Sequence, residues 1–229
     1  MNPELKSRRI GVVIPAYEAS ASLPALLDGL LNRLSYQQIL VVDDGSSDGT
    51  STLTASKGVL YLRHEINRGK GAALMTGLLH ARHLGWEWAV TLDADGQHTV
   101  EDLEKFLVAQ PGPNTGILVG ARQRSGTPMP LHRRFSNAFS TWLVERLAGG
   151  PVFDAQCGFR AYRLDLVKNY PLEGRFEWES QALILCRRLG FDVEAIPIRT
   201  VYSEYGSHMR IGRDTWRFLR MYGKLAWTQ

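Results

Sequence analysis

The sequence predicts an α/β protein, a single domain with an open, mostly parallel β-sheet flanked by helices. Short continuous apolar runs of strand length, as at residues 10–14 and 88–92, alternate with helical segments along the first half of the chain. The turns between them are short. Strands that alternate with helices form right-handed βαβ units, whose parallel strands are buried on both faces and are therefore continuously apolar.

The first half of the chain is the more regular one. Leucines at helical spacing over 23–34, with Pro24 in the first turn, predict an amphipathic helix. The serine and aspartate residues that follow the second strand favour the start of another helix. The predicted strands lie at 10–14, 39–42, 58–62 and 88–92, and a further helix covers 72–84.

The second half is less regular, but it contains no repeat, no low-complexity segment and no obvious linker. The last predicted strand contains Pro197, which lacks an N–H for a ladder hydrogen bond and therefore predicts a sheet edge. A loop over 122–130 is long enough to be functional. Helices are predicted at 99–109, 133–147 and 178–189, and strands at 116–120, 157–162 and 193–201. We therefore expect residues 1–229 to form one domain.

The amino-acid composition limits which binding partners and which cellular compartment are expected for the protein. The chain has 229 residues, of which 44% are hydrophobic and 22% charged, so it can bury a normal core. Its net charge of +4 lies mainly in arginine clusters downstream of Arg122, which suit phosphates, other polyanions or a membrane surface. No nucleic-acid-binding motif accompanies them, so nucleic acid is not an expected partner. Two distant cysteines, without a signal-peptide or membrane-spanning run, indicate a cytoplasmic protein without a zinc site.

Three acid-bearing turns are predicted to meet in one crevice, because ligands of open α/β sheets bind beyond the carboxyl ends of the strands. In extended chain, Asp93 and Asp95 point to the same side. With Gln97 they offer hard oxygen ligands to a divalent cation such as Mg²⁺ or Mn²⁺. The alternative is a strand end with solvated polar residues. The turns lie at 15–18, 43–46 and 93–97.

Five ordered motifs together resemble the family 2 inverting glycosyltransferases with the GT-A fold. The resemblance is greatest to the dolichyl- or polyprenyl-phosphate mannose synthase branch. It implies a Rossmann-like sheet, a nucleotide-sugar-binding half at 1–125 and an acceptor-binding half at 126–229. The motifs are residues 13–18, 42–50, 67–71, 92–98 and 156–162.

The resemblance implies a metal-dependent transfer of a hexose, mannose or glucose, from a GDP- or UDP-linked donor to a lipid-linked acceptor such as polyprenyl phosphate. Such chemistry belongs to cell-envelope glycolipid synthesis. Asp93, Asp95 and Gln97 match the metal and diphosphate site, where a cation neutralises the leaving diphosphate. The other expected donor contacts are Pro15, Tyr17, Glu18, Asp43, Asp44, Lys70, His208 and Arg210.

The acceptor half leaves more than one interpretation open. Glu179 is either the base that takes a proton from an acceptor hydroxyl or a helix N-terminal acid that complements the dipole. An acceptor that is already a phosphate needs no base. Arg122 and Arg124 suit an acceptor phosphate or lie on a solvated loop. The residues 212–227 form either a basic amphipathic helix on the inner face of the membrane or a last helix packed on the core.

Two rival functions remain. A sugar-phosphate nucleotidyltransferase would have a Gly-rich loop with a basic end after the first strand, and residues 15–18 are not such a loop. A non-catalytic regulator that binds a nucleotide sugar or a lipid would not need the Asp93 and Asp95 pair. The chain also lacks Gly-x-Gly-x-x-Gly after the first strand and a Gly-Lys-Ser/Thr loop, so neither a dinucleotide site nor a P-loop is expected.

Overall fold

The computed structural model of the protein describes residues 9–96, 99–122, 131–170 and 177–199. Seven strands form one sheet, and six α-helices and two short 3₁₀-helices, Tyr36–Gln38 and Leu164–Asn169, surround it within these residues. The strands are β1 (Ile10–Ala16), β2 (Ile39–Asp43), β3 (Leu60–Arg63), β4 (Trp88–Thr91), β5 (Thr115–Arg122), β6 (Arg160–Arg163) and β7 (Asp192–Ile198). The helices are α1 (Leu23–Leu31), α2 (Thr50–Ser56), α3 (Lys70–His83), α4 (Val100–Val108), α5 (Leu131–Ala148) and α6 (Glu177–Arg188).

The strand order is β3-β2-β1-β4-β6-β5-β7. The first four strands in this order are parallel, and β7 is parallel to β5. Strand β6 is antiparallel to both of its neighbours, β4 and β5. The predicted open and mostly parallel sheet is therefore confirmed. The prediction that the Pro197 strand lies at an edge is also confirmed, because β7 pairs with β5 alone among the described strands.

Burial along the central strands explains their continuous hydrophobicity. Every residue of β1 and β2 is buried, as expected for parallel strands covered on both faces. Helix α3 packs against this part of the sheet at Gly77, where an added Cβ would lie 2.4 Å from Cγ1 of Val13. The absence of a side chain at Gly77 thus allows the helix to approach the sheet closely.

Several element boundaries differ from the predictions, and the causes of two of these differences are visible in the structure. Strand β1 continues past its predicted end at residue 14, because its ladder with β2 extends through the pairs Pro15↔Val42 and Ala16↔Asp43. Strand β6 begins at Arg160 rather than at Cys157. The preceding residues form a turn in which the N–H of Cys157 donates to the carbonyl oxygen of Asp154 at 3.3 Å.

A fully buried arginine, Arg160, connects three segments of the second half of the chain. The guanidinium of Arg160 donates to the carbonyl oxygens of Cys157 at 2.7 Å, Glu179 at 2.5 Å and Ala155 at 2.9 Å. Burial lowers the pKa of Arg160, but Tyr162 and Glu179 outweigh that effect and raise it, so the side chain stays charged. Its three contacts fix the start of β6 against the loop before it and against the first turn of α6.

We expect Arg160→Met to destabilise the fold strongly. Methionine has a similar length, but it leaves three buried carbonyl groups without their donor. The free energy of unfolding should fall by about 3 kcal/mol or more, because an unsatisfied buried polar group costs on the order of 1–3 kcal/mol. Urea denaturation measures the change. The control Arg82→Met, at an exposed position of α3, should stay within about 0.5 kcal/mol, and an equally small loss for Arg160→Met would contradict the structural role.

Candidate active site

The turns after β1 and β2 are hydrogen-bonded to each other at the carboxyl edge of the sheet. The N–H of Glu18 donates to Oγ of Ser46 at 2.9 Å, and Oε1 of Glu18 accepts from the N–H of Ser47 at 2.8 Å. The carboxylate of Asp48 accepts from the N–H of Ser20 at 2.9 Å. Glu18 itself has a left-handed backbone, with φ of 50°. These contacts give the rim of the crevice a fixed shape before any ligand binds.

Pro15 and Tyr17, two residues on this rim that were predicted to contact the nucleotide sugar, differ in exposure. Pro15 is buried within β1, so its side chain belongs to the floor of the turn. The ring of Tyr17 is 46% exposed. An exposed aromatic ring at this edge of the sheet can stack on a planar base.

Asp43 is fully buried and held in one orientation. Its Oδ1 accepts from the N–H of Ser46 at 2.9 Å, and its Oδ2 accepts from the hydroxyl of Tyr61 at 3.1 Å. Burial and the neighbouring carboxylate raise the pKa of Tyr61, so it remains a donor. Arg63 adds a cation 3.6 Å from Oδ2. Arg63 was not predicted as part of the site, although its place at the end of the third strand was a signal for it.

Asp44 holds the loop that leads into α3. Its carboxylate accepts from the N–H groups of Arg68 at 2.9 Å and Gly69 at 2.7 Å, and it lies 2.7 Å from Nδ1 of His64. The other ring nitrogen of His64 lies 2.9 Å from Oγ1 of Thr76. His64 was missed by the sequence analysis, because its role depends on a partner twenty residues away.

The ammonium group of Lys70 joins the two halves of the crevice. Nζ lies 2.7 Å from Oδ1 of Asp93 and 3.0 Å from Oε2 of Glu179. Burial lowers the pKa of Lys70, but the two carboxylates outweigh burial and raise it above its usual value. Lysine is therefore protonated in this position. The structure thus brings together three predicted site residues that are far apart in sequence.

The turn that carries the two aspartates is supported from both sides. The hydroxyl of Ser22 donates to the carbonyl oxygen of Ala94, and the hydroxyl of Thr91 donates to the carbonyl oxygen of Gly158 at 2.9 Å. A Cβ on Gly158 would lie 2.5 Å from Oδ2 of Asp93 and 3.0 Å from Nζ of Lys70. A side chain at this position would therefore require the ends of the Asp93 and Lys70 side chains to move. The resemblance motif contained Gly158, but its contact with the acidic turn became evident only in the structure.

The donor set of this turn fits a divalent cation that also binds substrate. Within the described ranges, no group of three or more His, Cys, Asp or Glu side chains is placed to hold a metal ion. Mg²⁺ and Mn²⁺ are commonly bound through one or two carboxylates together with substrate phosphates. Asp93 and Asp95 supply such a pair, and the Lys70 ammonium already places a cation against Asp93. The predicted ligand Gln97 lies outside the described residues.

On the acceptor side, Arg122 at the end of β5 makes a two-pronged ion pair with Asp154. Nε and Nη2 of Arg122 donate to the two carboxylate oxygens at 2.7 and 2.8 Å. Asp154 was not predicted, because nothing local in the sequence marks it as the partner of Arg122. The predicted residues Arg124, His208 and Arg210, and the basic stretch 212–227, lie outside the described part of the chain.

The fold and the acidic crevice define a glycosyltransferase of the GT-A type. The sequence profile of glycosyl transferase family 2 matches residues 11–170. The chain therefore belongs to glycosyl transferase family 2, which confirms the predicted resemblance and the enzyme class. Among the described residues, no helix is both long and apolar enough to cross a bilayer.

Two similar proteins are transferases of the lipid-phosphate branch. The UDP-N-acetylglucosamine–dolichyl-phosphate N-acetylglucosaminyltransferase of Methanococcus voltae is 30% identical, over 91% of this chain and 93% of its own length. The undecaprenyl-phosphate mannosyltransferase of Micrococcus luteus is 28% identical, over 89% and 88%. A crystal structure of glucosyl-3-phosphoglycerate synthase from Mycobacterium tuberculosis, with Mn²⁺, UDP-glucose and phosphoglyceric acid, matches 97% of this chain and 81% of that chain. Its TM-score of 0.76 at 20% identity shows the shared fold.

We expect Gly158→Ala to weaken the binding of a divalent cation. The added methyl group would occupy space that now belongs to the carboxylate of Asp93, so this ligand would have to turn away. Mn²⁺ affinity, measured by calorimetry with UDP or GDP present, should fall at least about tenfold, or about 1.4 kcal/mol. Gly29→Ala, in α1 and next to a side chain of α4, is the control. Unchanged Mn²⁺ affinity in a folded Gly158→Ala protein would contradict the prediction.

Proposed function

We propose that this glycosyltransferase moves a hexose from a GDP- or UDP-linked donor to a lipid-linked acceptor such as polyprenyl phosphate, with inversion at the anomeric carbon. The observation that carries the proposal is the pair Asp93 and Asp95 in the turn after β4, where Asp93 lies 2.7 Å from the partly buried ammonium of Lys70. The two relatives that act on dolichyl phosphate and undecaprenyl phosphate support the acceptor class. The division into a donor half at 1–125 and an acceptor half at 126–229 is part of the proposal.

The donor half would bind the nucleotide through its fixed turns. Tyr17 would stack on the base, while Asp43 and Asp44 would position the nucleoside, Asp44 chiefly through the loop that it holds. Asp93 and Asp95, with Gln97, would hold Mg²⁺ or Mn²⁺. The cation supplies positive charge to the diphosphate as it leaves. The further donor contacts in the proposal are Pro15, Glu18, Lys70, His208 and Arg210.

The reaction would take place in one step. An oxygen of the acceptor forms a bond to the anomeric carbon on the face opposite the nucleotide, and the bond from that carbon to the β-phosphate oxygen breaks. Its electron pair stays with the nucleoside diphosphate. An α-linked donor therefore gives a β-linked product. Arg122 and Arg124 would bind the phosphate of the acceptor, because a guanidinium can donate two hydrogen bonds to one phosphate. For Arg122 this would require the release of its two-pronged contact with Asp154.

An exposed aromatic surface beside Arg122 supports contact with a membrane. Phe139 and Trp142 on α5 are 51% and 53% exposed, and their ring centroids lie 5.9 Å apart. Phe153, next to Asp154, is 38% exposed with a left-handed φ of 69°. The carboxylate of Glu145 accepts from its N–H at 3.4 Å and holds it there. Aromatic side chains of this kind suit the interface of a bilayer.

We propose that this aromatic surface, Phe139, Trp142 and Phe153, lies against an anionic bilayer. The exposed Arg146 follows Trp142 by one helical turn and so shares its face of the helix. A cation among aromatic side chains matches the negative charge of such a surface. The basic stretch 212–227 stays a separate proposal for the same contact.

The donor proposal is tested with a panel of GDP- and UDP-sugars, with and without Mn²⁺. One donor should bind in a metal-dependent manner, and Asp95→Asn should lower its turnover about 100-fold or more, because a ligand of the charge-neutralising cation is lost. Asp165→Asn, a largely exposed carboxylate, is the control. If no donor binds to the wild type, or if Asp95→Asn behaves like the control, a non-catalytic regulator becomes the better hypothesis.

The membrane proposal is tested with vesicles of phosphatidylcholine and phosphatidylglycerol. The double variant Phe139→Ser/Trp142→Ser should bind them at least about tenfold more weakly, because a large apolar side chain contributes on the order of 1.5–3 kcal/mol when fully buried. Its turnover of a short, water-soluble polyprenyl phosphate should stay unchanged. Leu84→Ser, at another exposed apolar position, is the control. Equal vesicle binding by all three proteins would mean that another part of the chain covers this surface or makes the contact.

A further inference from the structure

The two carboxylate oxygens of Glu179 have different surroundings. Oε2 accepts a hydrogen bond from the Lys70 ammonium at 3.0 Å. Oε1 is buried, and it has no hydrogen-bond partner among the described residues. The residue as a whole is only 7% exposed. A carboxylate in such a place is costly unless it is paired with a cation, and Lys70 is the cation it contacts.

A general base must offer one oxygen to the proton that it removes, within about 2.6–3.2 Å. In Glu179, Oε1 is closed off from solvent, and Oε2 is already bonded to Lys70. A phosphate acceptor also carries no proton that has to be removed at neutral pH. The geometry and the proposed acceptor therefore both favour a role for Glu179 other than that of a base.

We propose that Glu179 is a positioning residue that acts through Lys70. It is a counter-ion that keeps the ammonium group in the crevice, so that the ammonium group does not pair with Asp93 alone. This inference rests on the proposed function, because it concerns the same donor site. Lys70 contacts Oδ1 of Asp93, an oxygen that a divalent cation would also take. With Glu179 in place, the ammonium retains a second anionic partner when Asp93 turns to the cation.

The proposal predicts a competition between Lys70 and the cation for Asp93. In Glu179→Gln, the ammonium loses its second anionic partner and should pair more fully with Asp93. Mn²⁺ affinity, measured by calorimetry with the nucleoside diphosphate that the wild type binds, should then fall about tenfold. In Lys70→Met, the competitor is absent, and the added change Glu179→Gln should have no further effect. The effects of the two substitutions on Mn²⁺ affinity should therefore be strongly non-additive.

The pH profile separates this role from that of a base. If Glu179 positions Lys70, then Glu179→Gln should raise the Mn²⁺ concentration needed for activity but leave the shape of the pH profile unchanged. The variant Glu179→Asp should restore part of the lost Mn²⁺ affinity. A base would instead lower kcat by about 10²–10⁴ and remove one limb of the profile. Glu177→Gln, in the same helical turn, is the matched control. Glutamine is close in size to glutamate, and the contact of Arg160 with the main-chain oxygen of Glu179 does not involve the side chain.

The outcomes distinguish this inference from the proposed function. If Glu179→Gln weakens Mn²⁺ binding and Lys70→Met abolishes that effect, the counter-ion role stands. If the wild type binds donor and Mn²⁺ but Glu179→Gln binds Mn²⁺ as tightly as Glu177→Gln does, the role is overturned while the proposed function survives. A wild-type protein that binds neither donor nor Mn²⁺ overturns both.

Discussion

The ion pairs of Lys70 with Asp93 and Glu179 are the constraint on which the arrangement of the crevice depends. A parallel sheet directs the carboxyl ends of its strands to one edge, and this chain places several acids there. Like charges in a partly buried site repel one another, and each pays for lost hydration. One ammonium at the start of α3 offsets both effects, and it does so by contacting acids from two separate parts of the chain.

The other acids of the crevice are satisfied mainly by the protein itself. Asp44 accepts from two main-chain N–H groups at the start of α3, and Glu18 and Asp48 connect neighbouring turns. Charge-assisted hydrogen bonds of this kind are among the stronger ones in proteins. A binding site whose loops are fixed in advance loses less entropy when a ligand arrives. The acids that were predicted as ligand contacts therefore also shape the site.

The sequence predicted the features that depend on local pattern. The alternation of apolar runs and amphipathic helices predicted the parallel part of the sheet, and Pro197 predicted its edge. The acidic crevice was predicted because ligands of open α/β sheets bind beyond the carboxyl ends of the strands. Pairings between distant residues were not predictable in this way: the contacts of His64 with Asp44 and of Arg122 with Asp154 each join separate turns. The predicted start of β6 was also wrong, because the first residues predicted for this strand form a turn in which the carbonyl oxygen of Asp154 accepts a hydrogen bond.

The antiparallel strand β6 has a consequence that local pattern does not reveal. It lies between β4 and β5, so the loop before it lies against the turn that carries Asp93, and the hydroxyl of Thr91 donates to the carbonyl oxygen of Gly158 in that loop. A Cβ on Gly158 in that loop would lie 2.5 Å from Oδ2 of Asp93, and Arg160 fixes the same loop to the first turn of α6. A shift of α6 by an acceptor would therefore reach Asp93 by two routes, through Lys70 and through Gly158. Donor and acceptor sites that share such rigid contacts are expected to be energetically coupled.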